Sequence, residues 1–353
     1  MKPIEGKRVL VTGGTGSLGQ VLVRRLLGGE LGLPAKVIVF SRDEAKQHQM
    51  RVGYLDRHSA TDEVIYSNFA RLLDFRIGDV RDPHAVAAVL RDADVVFNAA
   101  ALKQVPTCEY FPFEAVSTNV GGPENIVRAI REHRLGVEAV VGISTDKACK
   151  PVNVMGMTKA IQERLLIRAN LDCPGTRFMC VRYGNVLASR GSVIPLFIEQ
   201  IAGGGPVTIT TEEMTRFLLS LDQAVDTIFA AIGQARAGET YVPRVPAARM
   251  TDVAKALIGD REVAIVFTGI RPGEKTHEIL VSEEEAHRTI ARGDHYVILP
   301  ILPELRTDEP GQPLGVEYSS ADALMTVDQC AELLRRHGLA ADRLLRREGD
   351  LLR

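Results

Sequence analysis

Residues 144–159, "STDKACKPVNVMGMTK", gather groups that move protons. A carboxyl and a neutral amine serve as general acid and base, and a hydroxyl can hold a reacting oxygen. Thr145, Asp146, Lys147 and Lys159 are therefore the candidate catalytic residues. Met155 and Lys159 are four residues apart, a spacing that puts both on one helix face. A thioether has no proton to exchange near neutral pH, so Met155 is expected to be an active-site wall.

Such a cluster needs a rigid platform, and the chain's periodicity supplies one. Apolar runs alternate with helical patterns through the first half. "KRVLVTG" precedes a helix from about Ser17 to Leu27, "KVIVFS" a helix from Asp43, and "LDFRIGDV" one opening at Pro83. "DVVFNAA" precedes a helix ending near Gly136, expected as its C-cap. "VEAVVGIST" leads into the helix carrying Met155 and Lys159, and "RFMCVRYGNV" closes the series. Nearly continuous apolar strands between helices specify an α/β fold, a Rossmann-type doubly wound parallel sheet. Thr145, Asp146 and Lys147 then fall at the C-terminal end of the fifth strand, where open parallel sheets bind ligands.

After Tyr183 the alternation loosens into Gly- and Pro-rich pieces, "GGGPVTIT", "TYVPRVP" and "FTGIRPGEK". Residues 1–182 are expected to form the nucleotide-binding domain, with 218–240 returning to it through a helix over Asp222 to Gln234. Residues 183–353 are expected to form mainly a smaller C-terminal α/β substrate-binding lobe.

"VLVTGGTGSLG" places Gly13, Gly16 and Gly19 between the first strand and helix. Glycine lets a backbone approach a pyrophosphate closely, and the helix N-terminus faces that anion. An acidic residue after the second strand would bind an adenosine ribose; here Ser41-Arg42 stand there, which favours the 2′-phosphate of NADP over NAD. The alternative is that Arg42 pairs with Asp43 or Glu44. Asp79 suits the adenine amino group or a helix cap. Further on, Arg216 and Arg271 suit a diphosphate, and Glu274 suits a ribose diol.

Composition narrows the function classes. The 353 residues carry 43 basic and 45 acidic side chains, and 45% are apolar. That balance gives no field for nucleic acid. The basic C-terminal "RLLRREGDLLR" is expected to be a solvated helix face. No apolar run approaches the roughly 20 residues of a membrane span, and no signal-peptide pattern opens the chain. Five unpaired-looking cysteines fit reduced thiols in a cytoplasmic protein, and no metal site is expected.

The blocks "TGGTGSLG", "FSRDEAKQ", "IGDVRD", "AAALKQVP", "STDKA", "RYGNV", "SRGSVIP", "MTRF" and "RPGEK" occur in order along the chain. Together they resemble the extended short-chain dehydrogenase/reductase family, in its polysaccharide-biosynthesis branch of UDP-N-acetylglucosamine 4,6-dehydratases. The resemblance implies a redox-neutral, NADP-dependent cycle on a UDP-sugar: oxidation at carbon 4, loss of water across carbons 5 and 6, and return of hydride to carbon 6. It implies Asp146 as acid for the departing water, Lys147 as base at carbon 5, Thr145 as a hydrogen-bonding hydroxyl and Lys159 on the nicotinamide ribose. Cofactor contacts are further expected at Thr15, Ser17, Leu18, Val80, Ala99 and Ala100. Substrate contacts are expected at Lys103, Asn185, Ser192 and Val193, besides Arg216, Arg271 and Glu274. As a base Lys147 must be neutral, and burial beside Lys159 and an oxidised nicotinamide is expected to lower its pKa.

Many members carry Tyr at the position of Met155, including soluble ones that invert carbon 5; others, such as the enzymes that start N-acetyl-L-fucosamine synthesis, carry Met. The base for the carbon 4 hydroxyl is then Asp146, Lys147 or an ordered water. The segment between Gln47 and Leu73 is longer than the resemblance leads one to expect. A homo-oligomer is expected. The competing functions are a UDP-sugar epimerase on the same fold and a non-catalytic NADP-binding protein.

Overall fold

A computed structural model describes residues 2–55, 67–187, 193–306 and 311–339. Much of the long segment after Gln47, together with Ser192 and the basic C-terminus, lies outside the described residues. The first strands and helices alternate: β1 (Arg8–Thr12), α1 (Ser17–Leu27), β2 (Lys36–Ser41), α2 (Glu44–Leu55), β3 (Leu73–Ile77), α3 (Pro83–Leu90) and β4 (Val95–Asn98). After α4 (Val105–Tyr110) and α5 (Pro112–Val116) a π-helical turn at Ser117–Gly121 runs into α6 (Gly122–His133). Then follow β5 (Ala139–Ile143), α7 (Val154–Asp172) and β6 (Arg177–Val181). These six strands are parallel, in the spatial order β3-β2-β1-β4-β5-β6. The order reverses beside β1, where such sheets open a ligand crevice.

Alternation along each strand makes the sheet two-faced. Val9 and Val11 pack with Leu22, Val23 and Leu26 of α1 on one face. Leu10, between them, packs on the other face with residues of α3, α6 and α7, among them Val86, Ile126 and Leu166. Both layers are nearly free of solvent, which is why the strands other than edge strand β3 read as nearly unbroken apolar runs.

The chain next leaves the sheet through β7 (Asn185–Val186), α8 (Val193–Ala202), β8 (Val207–Ile209) and β9 (Thr215–Leu219). It returns by α9 (Leu221–Gln234) to β10 (Thr240–Pro243), which lies parallel to β6. "TYVPRVP" thus supplies a strand of the main sheet rather than of the small lobe. β11 (Ala247–Arg249), α10 (Met250–Ile258), β12 (Ile265–Phe267), β13 (Ile279–Val281) and α11 (Glu283–Ala286) follow. The hairpin β14 (Thr289–Arg292) and β15 (His295–Ile298) then completes a nine-stranded sheet, antiparallel at that edge. β16 (Tyr318–Ser319) pairs with β13, and α12 (Val327–Arg336) packs on α10. Two small sheets, β7-β9-β11 and β8-β12, form outside the nine-stranded sheet.

Two local expectations need correction. α6 stops not at Gly136 but at Arg134, which takes the left-handed conformation (φ 49°) and donates its N–H to the Ile130 carbonyl. The second helix begins one residue later than expected, because Asp43 Oδ1 accepts from the Lys46 N–H and so closes its first turn from outside.

The start of α7 shows how tightly the sequence is tied to the fold. Asn153 caps it, its Oδ1 accepting from the Gly156 N–H at 2.8 Å. A Cβ on Gly156 would lie 2.2 Å from the Lys147 carbonyl oxygen. Helix propensity alone makes Gly→Ala favourable by about 0.5–1 kcal/mol, whereas overpacking against backbone costs about 1–3 kcal/mol. Gly156→Ala should therefore lower the stability measured by urea unfolding; a gain would mean that the helix does not press on this turn.

Candidate active site

Just past β5, residues Asp146–Ala148 form a single 3-10 turn. Backbone bonds fix it from β6: Ser144 N–H donates to the Val181 carbonyl and Asp146 N–H to the Tyr183 carbonyl. Asp146 is 1% exposed. Its Oδ1 accepts from Thr145 Oγ1 at 2.7 Å and from Lys147 Nζ at 3.1 Å. Its Oδ2 is buried and has no hydrogen-bond partner among the described residues. The Lys147 side chain keeps 21% of its surface exposed, so the amine can meet a ligand.

A residue not singled out from the sequence completes the cluster. Glu278, buried, places Oε1 3.2 Å from Lys147 Nζ and 3.8 Å from Arg216 Nε. Burial lowers the Lys147 pKa, but Asp146 and Glu278 outweigh it and raise the amine above its ordinary value. Arg216 opposes the ammonium too, so the two carboxylates work against the lowering expected from burial and prevail over it. Burial depresses Lys275 and, further, Lys159. Lys159 is 5% exposed, donates to Gln162 Oε1 at 2.7 Å, and burial brings it down to about 8.

Behind the turn lies a second buried ionic cluster. Arg182 bonds Glu163 of α7 and Glu285 of α11, each with a 2.6 Å contact, and also the Leu280 carbonyl. Ser144 Oγ donates to Glu163 Oε1. Breaking one partner of such a cluster strands a buried charge, so it locks β5, α7, β6 and α11 together. The "RYGNV" block contained this arginine, but nothing local in the sequence named its partners.

The "RPGEK" loop docks on the same place. Asn153 Nδ2 donates to the Gly273 carbonyl at 2.8 Å, and Lys275 Nζ donates to the Cys149 carbonyl. Glu274 N–H closes a turn on the Arg271 carbonyl, and Glu274 Oε2 accepts from Thr210 Oγ1 at 3.3 Å. Arg271 is exposed; Arg216, on β9, is buried and donates to the Thr215 and Thr276 carbonyls. Asn185 Oδ1 is buried without a partner among the described residues, Lys103 is exposed before α4, and Val193 begins α8. Met155 is buried with Cys108 and Ala115.

The residues of the first crevice fit a dinucleotide. Gly13 has φ 66°, and a Cβ there would fall 2.8 Å from the Ala100 backbone. Gly16 is the N-cap of α1 and makes no side-chain cap, so the amides of Ser17, Leu18 and Gly19 are not claimed by a side chain. Thr15 is buried beside them. The Ala99 N–H donates to the Thr12 carbonyl and the Ala100 N–H to Thr12 Oγ1, which brings the ends of β1 and β4 together. Ser41 Oγ accepts from Gln47 Nε2. Among the described residues Arg42, its side chain 61% exposed, pairs with neither Asp43 nor Glu44 but lies 3.9 Å from Asp79. Asp79 is gripped by Arg81, and Asp82, not Asp79, caps α3. Val80 is buried under this group.

The family model described as "Polysaccharide biosynthesis protein" matches residues 9–300. The chain belongs to that family. Its relatives carry two kinds of name. The UDP-glucose 4-epimerase of Rickettsia typhi (strain ATCC VR-144 / Wilmington) is 45% identical over 297 residues, covering 83% of this chain and 82% of that one. The UDP-N-acetylglucosamine 4,6-dehydratase (inverting) of Campylobacter jejuni subsp. jejuni serotype O:23/36 (strain 81-176) is 40% identical over 300 residues, 84% of each. The X-ray structure of Pen from Bacillus thuringiensis superposes with a TM-score of 0.84 at 31% identity, covering 95% of this chain and 99% of that one. The dTDP-glucose 4,6-dehydratase DesIV from Streptomyces venezuelae, solved with NAD and TYD bound, shares the fold at 23% identity and a TM-score of 0.63, over 76% of this chain and 86% of that one. The fold is the extended short-chain dehydrogenase/reductase one. No described helix is long and apolar enough to cross a membrane.

The depressed Lys159 gives a test of this electrostatic layout that needs no ligand. Its pKa is lower folded than unfolded, so burial of the charged amine opposes folding below pH 8, and that penalty fades as pH rises from 8 to 10.5. Lys159→Met should gain about 3 kcal/mol at pH 7, and less at pH 10. An equal gain at both values in urea unfolding would place the amine in water.

Proposed function

We propose that this chain dehydrates a UDP-N-acetylhexosamine, UDP-N-acetylglucosamine foremost, across carbons 5 and 6, giving a UDP-4-keto-6-deoxy sugar for surface polysaccharide or glycan synthesis. The supporting observation is the Asp146–Lys147 pair, a carboxylate and an amine 3.1 Å apart at the mouth of the sheet. In this proposal Gly13, Thr15, Gly16, Ser17, Leu18 and Gly19 hold the pyrophosphate of NADP, Ser41 and Arg42 the 2′-phosphate, Asp79 and Val80 the adenine, and Ala99, Ala100 and Lys159 the nicotinamide ribose. Bound NADP supplies reversible storage of a hydride. Arg216, Arg271 and Glu274 hold the UDP, and Lys103, Asn185, Ser192 and Val193 border the sugar.

The proton traffic follows from the pair. A ketone at carbon 4 acidifies the hydrogen on carbon 5. Lys147, as the free amine, takes that proton, and the electron pair left on carbon 5 forms the bond to carbon 6. The carbon 6 hydroxyl leaves as water with a proton from Asp146. The proton Asp146 must give is the one Lys147 must first lose, so one transfer between Nζ and Oδ1 converts the resting ion pair into acid and base together. Thr145 Oγ1 holds the carboxyl in place during this exchange. Met155 takes no part in it.

The second reading, epimerisation at carbon 4, is favoured by the names of the Rickettsia relatives. It needs neither a base at carbon 5 nor an acid for water. The mass of the product separates the two: dehydration of UDP-N-acetylglucosamine loses one water, and epimerisation loses nothing. Asp146→Asn and Lys147→Ala should each lower dehydration by roughly 10²–10⁴-fold, while Met155→Leu, of similar volume, keeps most turnover. Full activity in both charged-pair variants would remove the pair from the chemistry.

The cofactor is tested separately. Arg42→Ala should weaken NADP far more than NAD in a binding titration, since only NADP has the phosphate that a charge-assisted bond of about 1.5–3 kcal/mol can hold. Equal weakening of both would take Arg42 away from the 2′-phosphate.

A further inference from the structure

Glu278 is fixed by its backbone before its side chain does anything. Its N–H donates to Ser320 Oγ at 2.9 Å, and its carbonyl accepts from the Ser320 N–H at 2.8 Å. The residue is thereby held at the mouth of the β13–β16 pair, 2% exposed, with Oε1 against Lys147 Nζ and Oε2 buried without a partner among the described residues. A carboxylate taken out of water in this way is costly unless a cation answers it. Two do: Lys147 at 3.2 Å and Arg216 at 3.8 Å.

We propose that Glu278 is a positioning residue for Lys147, tethering its amine opposite Asp146 and holding the pair's proton on nitrogen until substrate is in place. The consequence for turnover rests on the dehydration reading; the pairing itself does not. The Asp146–Lys147 pair has one proton to place. On Nζ it gives carboxylate and ammonium; on Oδ1 it gives carboxylic acid and free amine, with the same total charge. A negative Glu278 beside Nζ stabilises the first arrangement. Among the described residues four charged groups act on Lys147: Asp146 from its own turn, Glu278 just before β13, Arg216 from β9 and Lys275 from the "RPGEK" loop. The two carboxylates favour the ammonium and the two cations oppose it. Burial also opposes it, and the amine is nevertheless raised, so the carboxylates prevail.

Removing only the negative charge of Glu278 must then make Lys147 easier to deprotonate. The singly protonated pair is the working form, so it would be lost at a lower pH, and the alkaline limb of turnover would move down with it. A residue that merely fills space would change the amount of activity but not the position of that limb.

The test measures the rate at which acetic anhydride labels Lys147, read by mass spectrometry of its peptide against pH, in the full chain and in Glu278→Gln, Glu278→Leu and Glu278→Asp. Glu278→Gln and Glu278→Leu should lower the labelling midpoint by at least about one pH unit, and Glu278→Asp, which keeps the charge, should stay closer to the parent than either. Alkaline limbs of turnover should move by the same amounts. An unchanged midpoint in a folded Glu278→Gln protein overturns the proposal, as does a Glu278→Asp midpoint that falls as far as that of Glu278→Gln, because repacking would then be the cause. Since labelling uses no substrate, a shifted midpoint in a chain that does not dehydrate UDP-N-acetylglucosamine would uphold the pairing and reject the dehydration reading alone.

Discussion

A lysine amine held between two buried carboxylates is the constraint around which this end of the molecule is arranged. Ions removed from water cost several kcal/mol each unless their partners are placed well, so Asp146, Lys147 and Glu278 need backbone that does not move. The second cluster, Arg182 with Glu163 and Glu285, supplies that rigidity from behind. It ties the strand before the Asp146–Ala148 turn to the helix after it, and both to the segment that follows Glu278. The geometry at the sheet edge is therefore set by contacts that never reach a ligand.

Met155 gains its meaning from this arrangement. A tyrosine at that point of the helix would bring a proton of its own; a thioether brings none. In the proposed site the exchangeable protons then belong to Asp146, Lys147 and Lys159. Of the two lysines, Lys159 is the one brought toward neutrality, at about 8, while Lys147 is held charged by its neighbours. The family contains relatives named as epimerases and as dehydratases at similar identity, 45% and 40%, so the overall likeness does not choose between them. The dehydration proposed above rests instead on the charged pair.

Much of this was legible in the chain. Five of the six leading parallel strands declared themselves as apolar runs because both their faces are buried, while edge strand β3 carries Asp74 and Arg76 and is partly exposed; the glycine turn declared itself by its place between strand and helix. Asp146, Lys147 and Lys159 stood out as charges at a predicted strand end and helix face. Glu278 did not, since it lies just beyond the "RPGEK" block and looks like an ordinary charge entering a short apolar strand. Its importance depends on a contact across 131 positions of sequence, which no local pattern reports. The raised Lys147 amine has one neighbour that the sequence displays, the adjacent Asp146, and one that it hides, the distant Glu278. Strand β10 was misassigned because its Pro-rich continuation resembles a loop, although Tyr241 is fully buried in the main sheet.

The most direct measurement of the central claim is the appearance of solvent deuterium at carbon 5. The protein would be incubated with UDP-N-acetylglucosamine in heavy water and the sugar followed by NMR. The account predicts deuterium at carbon 5 of the 4-keto-6-deoxy product, and none in the Lys147→Ala protein. A product whose carbon 5 keeps its original hydrogen, or exchange that persists undiminished without Lys147, would contradict it.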